Sequence, residues 1–86
     1  MNKALIFATY DRAANRYGQV TLDISDVVAR RNFHYAISES GALQYIAKDL
    51  ELHKIGEIDL TTGDIVPTMP HMIIARGSEA LNDSKE

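Results

Sequence analysis

Two segments near the start of the chain have the residue patterns of β-strands. Residues 5–10, Leu-Ile-Phe-Ala-Thr-Tyr, form a short apolar run, which is typical of a buried strand. Residues 17–22 alternate, so that Val20 and Leu22 fall on one face. The polar residues between the two segments predict a polar connection or a hairpin turn over residues 11–18, with Gly18 as its most permissive position.

The next segment has the spacing of a helix. Asp23 is the expected N-cap and Asp26 lies in the electropositive first turn. The helix is predicted from about Ser25 to Ser38, and Gly41 supplies a stop signal.

Apolar residues occur on two sides of this predicted helix. One side carries Ile24, Val27, Val28 and Tyr35, and the other carries Ala29, Phe33, Ala36 and Ile37. A helix of this kind covers a sheet on one side and meets a partner on the other. The alternative is that a second element of the same chain, a short helix at 42–47, covers the second side.

Residues 50–60 alternate with the period of a strand. Leu50, Leu52, Ile58 and Leu60 share one face, and Glu51, His53, Glu57 and Asp59 share the other, solvent-facing one. Gly56 predicts a bend or bulge. Residues 59–64 form a turn signal in which Gly63 takes a positive φ, and Ile65-Val66 returns antiparallel.

A last apolar segment covers residues 69–75. Pro67 and Pro70 exclude it from the ladder of a central strand at those positions, so it closes the sheet or exchanges between subunits. The pattern as a whole predicts an α+β fold, a small antiparallel sheet of four to five strands with one principal helix, in the order β-β-α-β-β with or without a further β. Residues 1–76 are expected to form a single domain, and residues 77–86 a polar, mobile C-terminal tail.

Composition adds limits to this picture. The chain has 86 residues, of which 45% are hydrophobic, and no cysteine, which excludes disulfides, cysteine zinc sites and thiol nucleophiles. The net charge of -3 excludes a uniformly basic coat. Charge is unevenly spread, since residues 1–48 sum to +2 and residues 49–86 to -5, which permits a basic face on an acidic protein.

The sequence carries no motif for catalysis or for a cofactor. Gly-rich phosphate loops and the G-x-S-x-G elbow are absent from it. His34, His53 and His71 lie nearly twenty residues apart, without the spacing of metal ligands. The carboxylate pairs Asp49/Glu51 and Glu57/Asp59 are expected on the solvent face of a hairpin. We therefore expect no enzyme activity, no cofactor and no metal.

The N-terminal apolar run is too short for a secretory signal, because it ends at Thr9. No segment reaches the ~18 apolar residues of a membrane span. The expectation is a cytoplasmic protein without a membrane partner.

Cationic and aromatic residues are interleaved in the first half of the chain. Cations contact phosphates and rings stack on unpaired bases, which is what single-stranded nucleic acid requires. The candidate phosphate-binding residues are Arg12, Arg16, Arg30 and Arg31, and the candidate stacking residues are Tyr17 and Tyr35.

The order of residues resembles a known family. The likeness runs from about residue 5 to 67 and includes Tyr10-Asp11, Ala13 and Tyr17-Gly18, then Ala29, Arg31 and Phe33, then residues 49–59 (DLELHKIGEID) with Thr62-Gly63-Asp64-Ile65. In these residues the chain resembles the small nonstructural protein of gokushovirus-type microviruses, which are single-stranded DNA phages.

The resemblance implies a noncatalytic phage accessory protein, made in the host cytoplasm, that supports genome replication or packaging through weak, sequence-independent contacts with single-stranded DNA. Arg31 is the matched cation within the apolar helix pattern. Relatives often carry aromatic residues where this chain has Leu50, His53 and Ile58, so the resemblance places no base-stacking rings there. The alternative function is a homodimeric protein–protein module that recruits or inhibits a host or phage protein and buries Tyr35 and residues 69–75.

Overall fold

Strands make up the larger part of the fold and helices cover one side of it. The computed structural model describes residues 2–83, with side chains described for residues 2–81. In this part of the chain the elements are β1 (Lys3–Asp11), β2 (Arg16–Asp23), α1 (Asp26–Ser38), α2 (Gly41–Ile46), β3 (Leu50–Asp59), β4 (Ile65–Arg76) and α3 (Gly77–Asp83), with a turn of 3-10 helix at Ala47–Asp49. The strands form one antiparallel sheet in the order β2-β1-β3-β4, which confirms the predicted α+β class.

Two tight turns connect the sequential strand pairs. Between β1 and β2 the Asp11 carboxylate accepts the backbone N–H groups of Ala13 and Ala14 at 3.0 and 3.2 Å, and Asn15 has φ 57°. The left-handed position is thus Asn15 and not Gly18, which lies within β2. Between β3 and β4, Gly63 has φ 83° as the sequence predicts.

The N-cap of the principal helix lies two residues later than expected. Its N-cap is Ser25, whose Oγ accepts the N–H of Val28 at 3.2 Å. The prediction of Asp23 as N-cap was wrong, because Asp23 ends β2 and its carboxylate accepts the side-chain amide of Asn32 at 3.1 Å.

The core lies between the helices and one face of the sheet. Phe7 and Ile37 are its largest fully buried side chains, and Ala29, Phe33, Leu50 and Leu52 pack with them. Only one side of α1 is buried. Ile24, Val27 and Tyr35 remain 82, 67 and 65% exposed, so the short helix predicted at 42–47, present as α2, does not cover the second apolar side.

The segment expected to begin a mobile tail contributes to the core. Residues 77–83 form α3, and Ala80 is 2% exposed within the core cluster. Helix α3 approaches the 3-10 turn so closely that a Cβ at Gly77 would lie 2.1 Å from the carbonyl oxygen of Ala47. Residues 84–86 of the predicted tail lie outside the described residues. None of the described helices is long and apolar enough to cross a membrane.

Candidate nucleic-acid interface

One face of the sheet is left without helices in the described part of the chain. Leu50 and Leu52 pack in the core, so Glu51 and His53, which alternate with them along β3, point to the other face. Tyr10 is paired with Glu51 on β3 and with Tyr17 on β2, which places both tyrosines on that same face. We call this side the open face.

Four side chains from three strands form a hydrogen-bonded chain on the open face. Nε2 of His53 lies 2.8 Å from Oε1 of Glu51. Nδ1 of His53 lies 2.8 Å from the Tyr17 hydroxyl, which is also 2.9 Å from Nδ1 of His71. Tyr17 and His71 are on the two edge strands, about 14 Å apart at the usual strand spacing, so their side chains meet over the centre of the sheet.

The chemistry of these groups determines which atom donates and which accepts in each hydrogen bond. The Glu51 carboxylate only accepts, so His53 donates its Nε2–H to it. A neutral His53 then has Nδ1 as an acceptor, which takes the single hydroxyl hydrogen of Tyr17. With His53 in this neutral form, His71 donates its Nδ1–H to the Tyr17 oxygen. The hydrogen bonds run from exposed His71 to buried Glu51, and every polar atom between them is satisfied.

The rings of this chain also contact one another. Tyr10 stacks on His53 with 5.2 Å between ring centroids and 19° between planes, and its centroid lies 4.8 Å from that of Tyr17. Tyr17 meets His71 edge-on at 5.6 Å. We call Tyr10, Tyr17, His53 and His71 the aromatic cluster. Tyr17 is 37% exposed and His71 is exposed, so the cluster presents ring surface to solvent.

Two arginines contact Glu51, which is the buried end of the hydrogen-bonded chain. Glu51 is only 6% exposed, and its Oε2 accepts a hydrogen bond from Nη1 of Arg76 at 2.9 Å, while Nε of Arg12 lies 4.0 Å away. The two arginine side chains remain 54% (Arg12) and 53% (Arg76) exposed. A buried carboxylate with charged partners is tolerated, and the arginines outnumber it, so a positive charge is left at this edge of the cluster.

The phenol of Tyr17 stays protonated at neutral pH. Burial against its neighbours raises the pKa of Tyr17 above its ordinary value, and the nearby Tyr10 and Glu51 raise it further because a phenolate would face like charge. Tyr17 is therefore a hydrogen-bond donor throughout the physiological range.

Comparison with known proteins identifies the family. The Phage ORF5 protein family matches residues 4–80, which include the whole aromatic cluster and all four strands apart from the first residue of β1. The chain belongs to the Phage ORF5 protein family. No curated protein and no solved structure matches the chain significantly.

The six site residues predicted from the sequence fall on both sides of the sheet in this phage protein. Arg12 and Tyr17 lie at the aromatic cluster, and Arg16 is paired with Asp11 at the same end of the sheet. The other three are on α1, across the sheet from the open face: Arg30, Arg31 and Tyr35. Nε of Arg30 donates to the carbonyl of Ile74 at 3.3 Å. The structure therefore does not bring the six residues into one site.

Sequence reasoning missed four members of the open-face arrangement: Glu51, His53, His71 and Arg76. The prediction that Glu51 faces solvent was wrong, because Glu51 is 6% exposed and its carboxylate is bonded to His53 and Arg76. The alternation of residues 50–53 predicted correctly which of these residues share a face of the sheet. It could not show which side chains cover the face that carries Glu51 and His53. Among the side chains described, those of residues 2–81, no three His, Asp or Glu form a group that could hold a metal ion.

Proposed function

We propose that this phage protein is a noncatalytic accessory protein that binds single-stranded DNA weakly and without sequence preference, using the open face of its sheet. It would act in the host cytoplasm, in the replication or packaging of a single-stranded genome. The resemblance to gokushovirus-type microvirus proteins supports that genome type. The observation that carries the proposal is the aromatic cluster flanked by two half-exposed arginines.

The cluster has the chemistry that unpaired bases recognise. Open faces of antiparallel sheets with exposed rings stack bases in several single-strand-binding modules, because every base has a π-face. Tyr17 and His71 offer such ring surface near the centre of the sheet. Their shared hydroxyl contact fixes both rings in place before a base arrives, which lowers the entropic cost of binding.

The charges around the cluster suit a phosphate backbone. Arg12 and Arg76 flank the rings, and each keeps about half of its side chain exposed while it contacts Glu51. A guanidinium has five donors in a planar fork, so one contact with a carboxylate leaves others for phosphate oxygens. The single buried carboxylate between the arginines positions them without cancelling both charges.

A binding role also fits the protonation of Tyr17 better than nucleophilic chemistry does. A tyrosine that attacks phosphorus must lose its proton, whereas the surroundings of Tyr17 raise its pKa. Its hydroxyl is in addition occupied by two histidines. These observations argue against Tyr17 as a nucleophile.

The test is a titration of fluorescently labelled oligothymidylate at low and at physiological salt. Binding should weaken with salt, and Arg12→Ala or Arg76→Ala should each reduce the slope of log K against log salt by about 0.7. The matched control is Arg30→Ala/Arg31→Ala, which removes two cations from α1 and should leave the slope unchanged.

Variants of the rings separate stacking from charge. Tyr17→Leu should reduce affinity by a similar factor at both salt concentrations, corresponding to about 1–3 kcal/mol, while Tyr17→Phe retains the ring and most of the affinity. Absence of binding at low salt would contradict the proposal. A slope of log K against log salt that falls in the Arg30→Ala/Arg31→Ala variant would contradict it as well. Duplex DNA and single-stranded RNA of equal length, run in parallel, test the choice of DNA single strands.

The second candidate function is a homo-oligomeric module that recruits or inhibits a host or phage protein. The exposed apolar residues Val27 and Tyr35 on α1, together with Ile24 just before the helix, favour it. The exposed apolar residues of β4, which include Met69, Met72 and Ile73, point the same way. Light scattering after size-exclusion chromatography tests it, since a monomer at all concentrations would contradict it.

A further inference from the structure

The two edges of the sheet differ in their capacity to accept another strand. Strand β4 carries Pro67 and Pro70, which lack the N–H that a ladder needs, and its pairing with β3 contains two register shifts. Prolines and bulges of this kind protect an edge from pairing. Strand β2 is eight residues long and contains no proline, and its pairing with β1 contains one register shift, between Ala8 and Tyr10. Backbone pairing with a further strand is therefore less obstructed at β2 than at β4.

Strand β2 is also the least covered strand of the sheet. Its first seven residues, Arg16–Leu22, are all exposed, on both faces. On the open face, Val20 and Leu22 are 58 and 50% exposed. On the helix face, Gln19 and Thr21 line a cavity of about 450 Å³ between β2 and helices α1 and α2, so the helices do not close over this strand.

The charges at the two ends of β2 favour antiparallel pairing with a second copy of the same strand. Arg16 begins the strand and Asp23 ends it. When two copies of β2 lie antiparallel around a two-fold axis, Arg16 comes to the end of the pair where Asp23 of the partner subunit lies, and the same contact is repeated at the other end. A parallel arrangement would instead bring like charges together at both ends, which is unfavourable.

We infer that a second copy of this chain pairs antiparallel with β2, joining two four-stranded sheets into one continuous sheet. The pairing satisfies the free edge of β2 and brings Val20 and Leu22 of both copies together on the open face. Ile24, the residue directly after β2, is also apolar and is 82% exposed. The two aromatic clusters would then lie on one continuous surface, although the dimer itself does not depend on DNA binding.

The test is sedimentation equilibrium of the full chain over a range of concentrations, with Val20→Lys and its matched control Ile65→Lys. Both positions are exposed strand residues, 58 and 62% respectively, but Ile65 is on the proline-containing strand. Val20→Lys should raise the dimer dissociation constant roughly tenfold or more, because it would place two lysine charges close together near the two-fold axis. Ile65→Lys should leave it unchanged, and circular dichroism confirms that both variants are folded.

A charge exchange tests the direction of pairing. Arg16→Asp should weaken the dimer, and Arg16→Asp combined with Asp23→Arg should restore it, since the exchanged charges again meet in an antiparallel pair. Amide hydrogen exchange adds a direct readout, because part of residues 18–22 should become protected as protein concentration rises.

The inference is overturned if the chain is a monomer at every concentration. A dimer that responds equally to Val20→Lys and Ile65→Lys, or that the charge exchange does not restore, would also overturn it. Oligothymidylate binding by a monomeric Val20→Lys variant would leave the proposed function standing, so failure of the two proposals can be distinguished.

Discussion

The hydroxyl of Tyr17 and Nδ1 of His53, 36 residues apart in the chain, are joined by a 2.8 Å hydrogen bond across the centre of the sheet. This contact connects an edge strand to the buried pair of His53 and Glu51. It makes the open face a specific polar structure and not a generally solvated surface. We expect the stability of the fold to depend on it.

Removal of the Tyr17 hydroxyl should destabilise the fold while it leaves the ring in place. In Tyr17→Phe, buried Nδ1 of His53 loses its partner, and an unsatisfied buried polar atom costs about 1–3 kcal/mol. Urea denaturation measures the loss. Tyr45→Phe is the matched control, because Tyr45 is 86% exposed on α2, and it should change the free energy of unfolding by less than about 0.5 kcal/mol. Equal effects of the two substitutions would contradict the assigned hydrogen bond.

Neutralisation of Glu51 should have consequences at both ends of the hydrogen-bonded chain. Glu51→Gln keeps the size of the side chain but removes the charge that Arg76 and His53 contact, so we expect a loss of about 2 kcal/mol in urea denaturation. It should also lower the pKa of Tyr17, because the Glu51 charge is one cause of its elevation. Ultraviolet titration of the phenols, with Tyr17→Phe to assign the component, measures that change. An unaltered titration would show that Glu51 does not act on Tyr17.

The stability of the protein should decline in alkaline solution because of Tyr17. In the unfolded chain a phenol loses its proton near pH 10, whereas burial, Tyr10 and Glu51 raise the pKa of Tyr17 in the folded chain. Above about pH 10 the folded state therefore holds more protons than the unfolded state, so the free energy of unfolding falls as pH rises. This contribution is fully present below that pH. Denaturation at successive pH values should give a smaller decline for Tyr17→Phe than for the natural sequence.

Two glycine substitutions should have opposite outcomes. Gly77→Ala would place Cβ 2.1 Å from the Ala47 carbonyl oxygen, so α3 must move and we expect a loss of about 1–3 kcal/mol or more. At Gly41, a Cβ meets nothing within 4 Å, and Gly41→Ala should be neutral or should stabilise α2 by about 0.5–1 kcal/mol. Thermal denaturation of the two variants checks both. A neutral Gly77→Ala would show that α3 is not docked on the 3-10 turn.

Local patterns in the sequence were sufficient for most of the fold. Strand alternation, the turn at Gly63 and the bulge at Gly56 depend on neighbouring residues, and each is present in the structure. The helix was predicted from about Ser25 to Ser38 and runs Asp26–Ser38. Its N-cap was misassigned because Ser25 and Asp23 are both good caps, and only the tertiary contact with Asn32 decides between them.

The C-terminal segment shows where local pattern fails. Residues 77–83 are mostly polar, with a single small apolar residue at Ala80 and one apolar residue at Leu81. Their helix depends on the docking of Ala80 into the core and on the close approach of Gly77 to Ala47. Neither contact has a signature in the segment itself, because a short helix gains most of its stability from tertiary packing.

By itself, the sequence determined the α+β class, the antiparallel sheet and the faces to which residues 50–53 point, because these follow from the period of the backbone. Tertiary structure alone decided which distant residues meet. It placed Tyr17, His53 and His71 within hydrogen-bonding distance and moved Arg30, Arg31 and Tyr35 to the other side of the sheet. Strand order and register bring such residues together, and both are set by long-range pairing that no local pattern records.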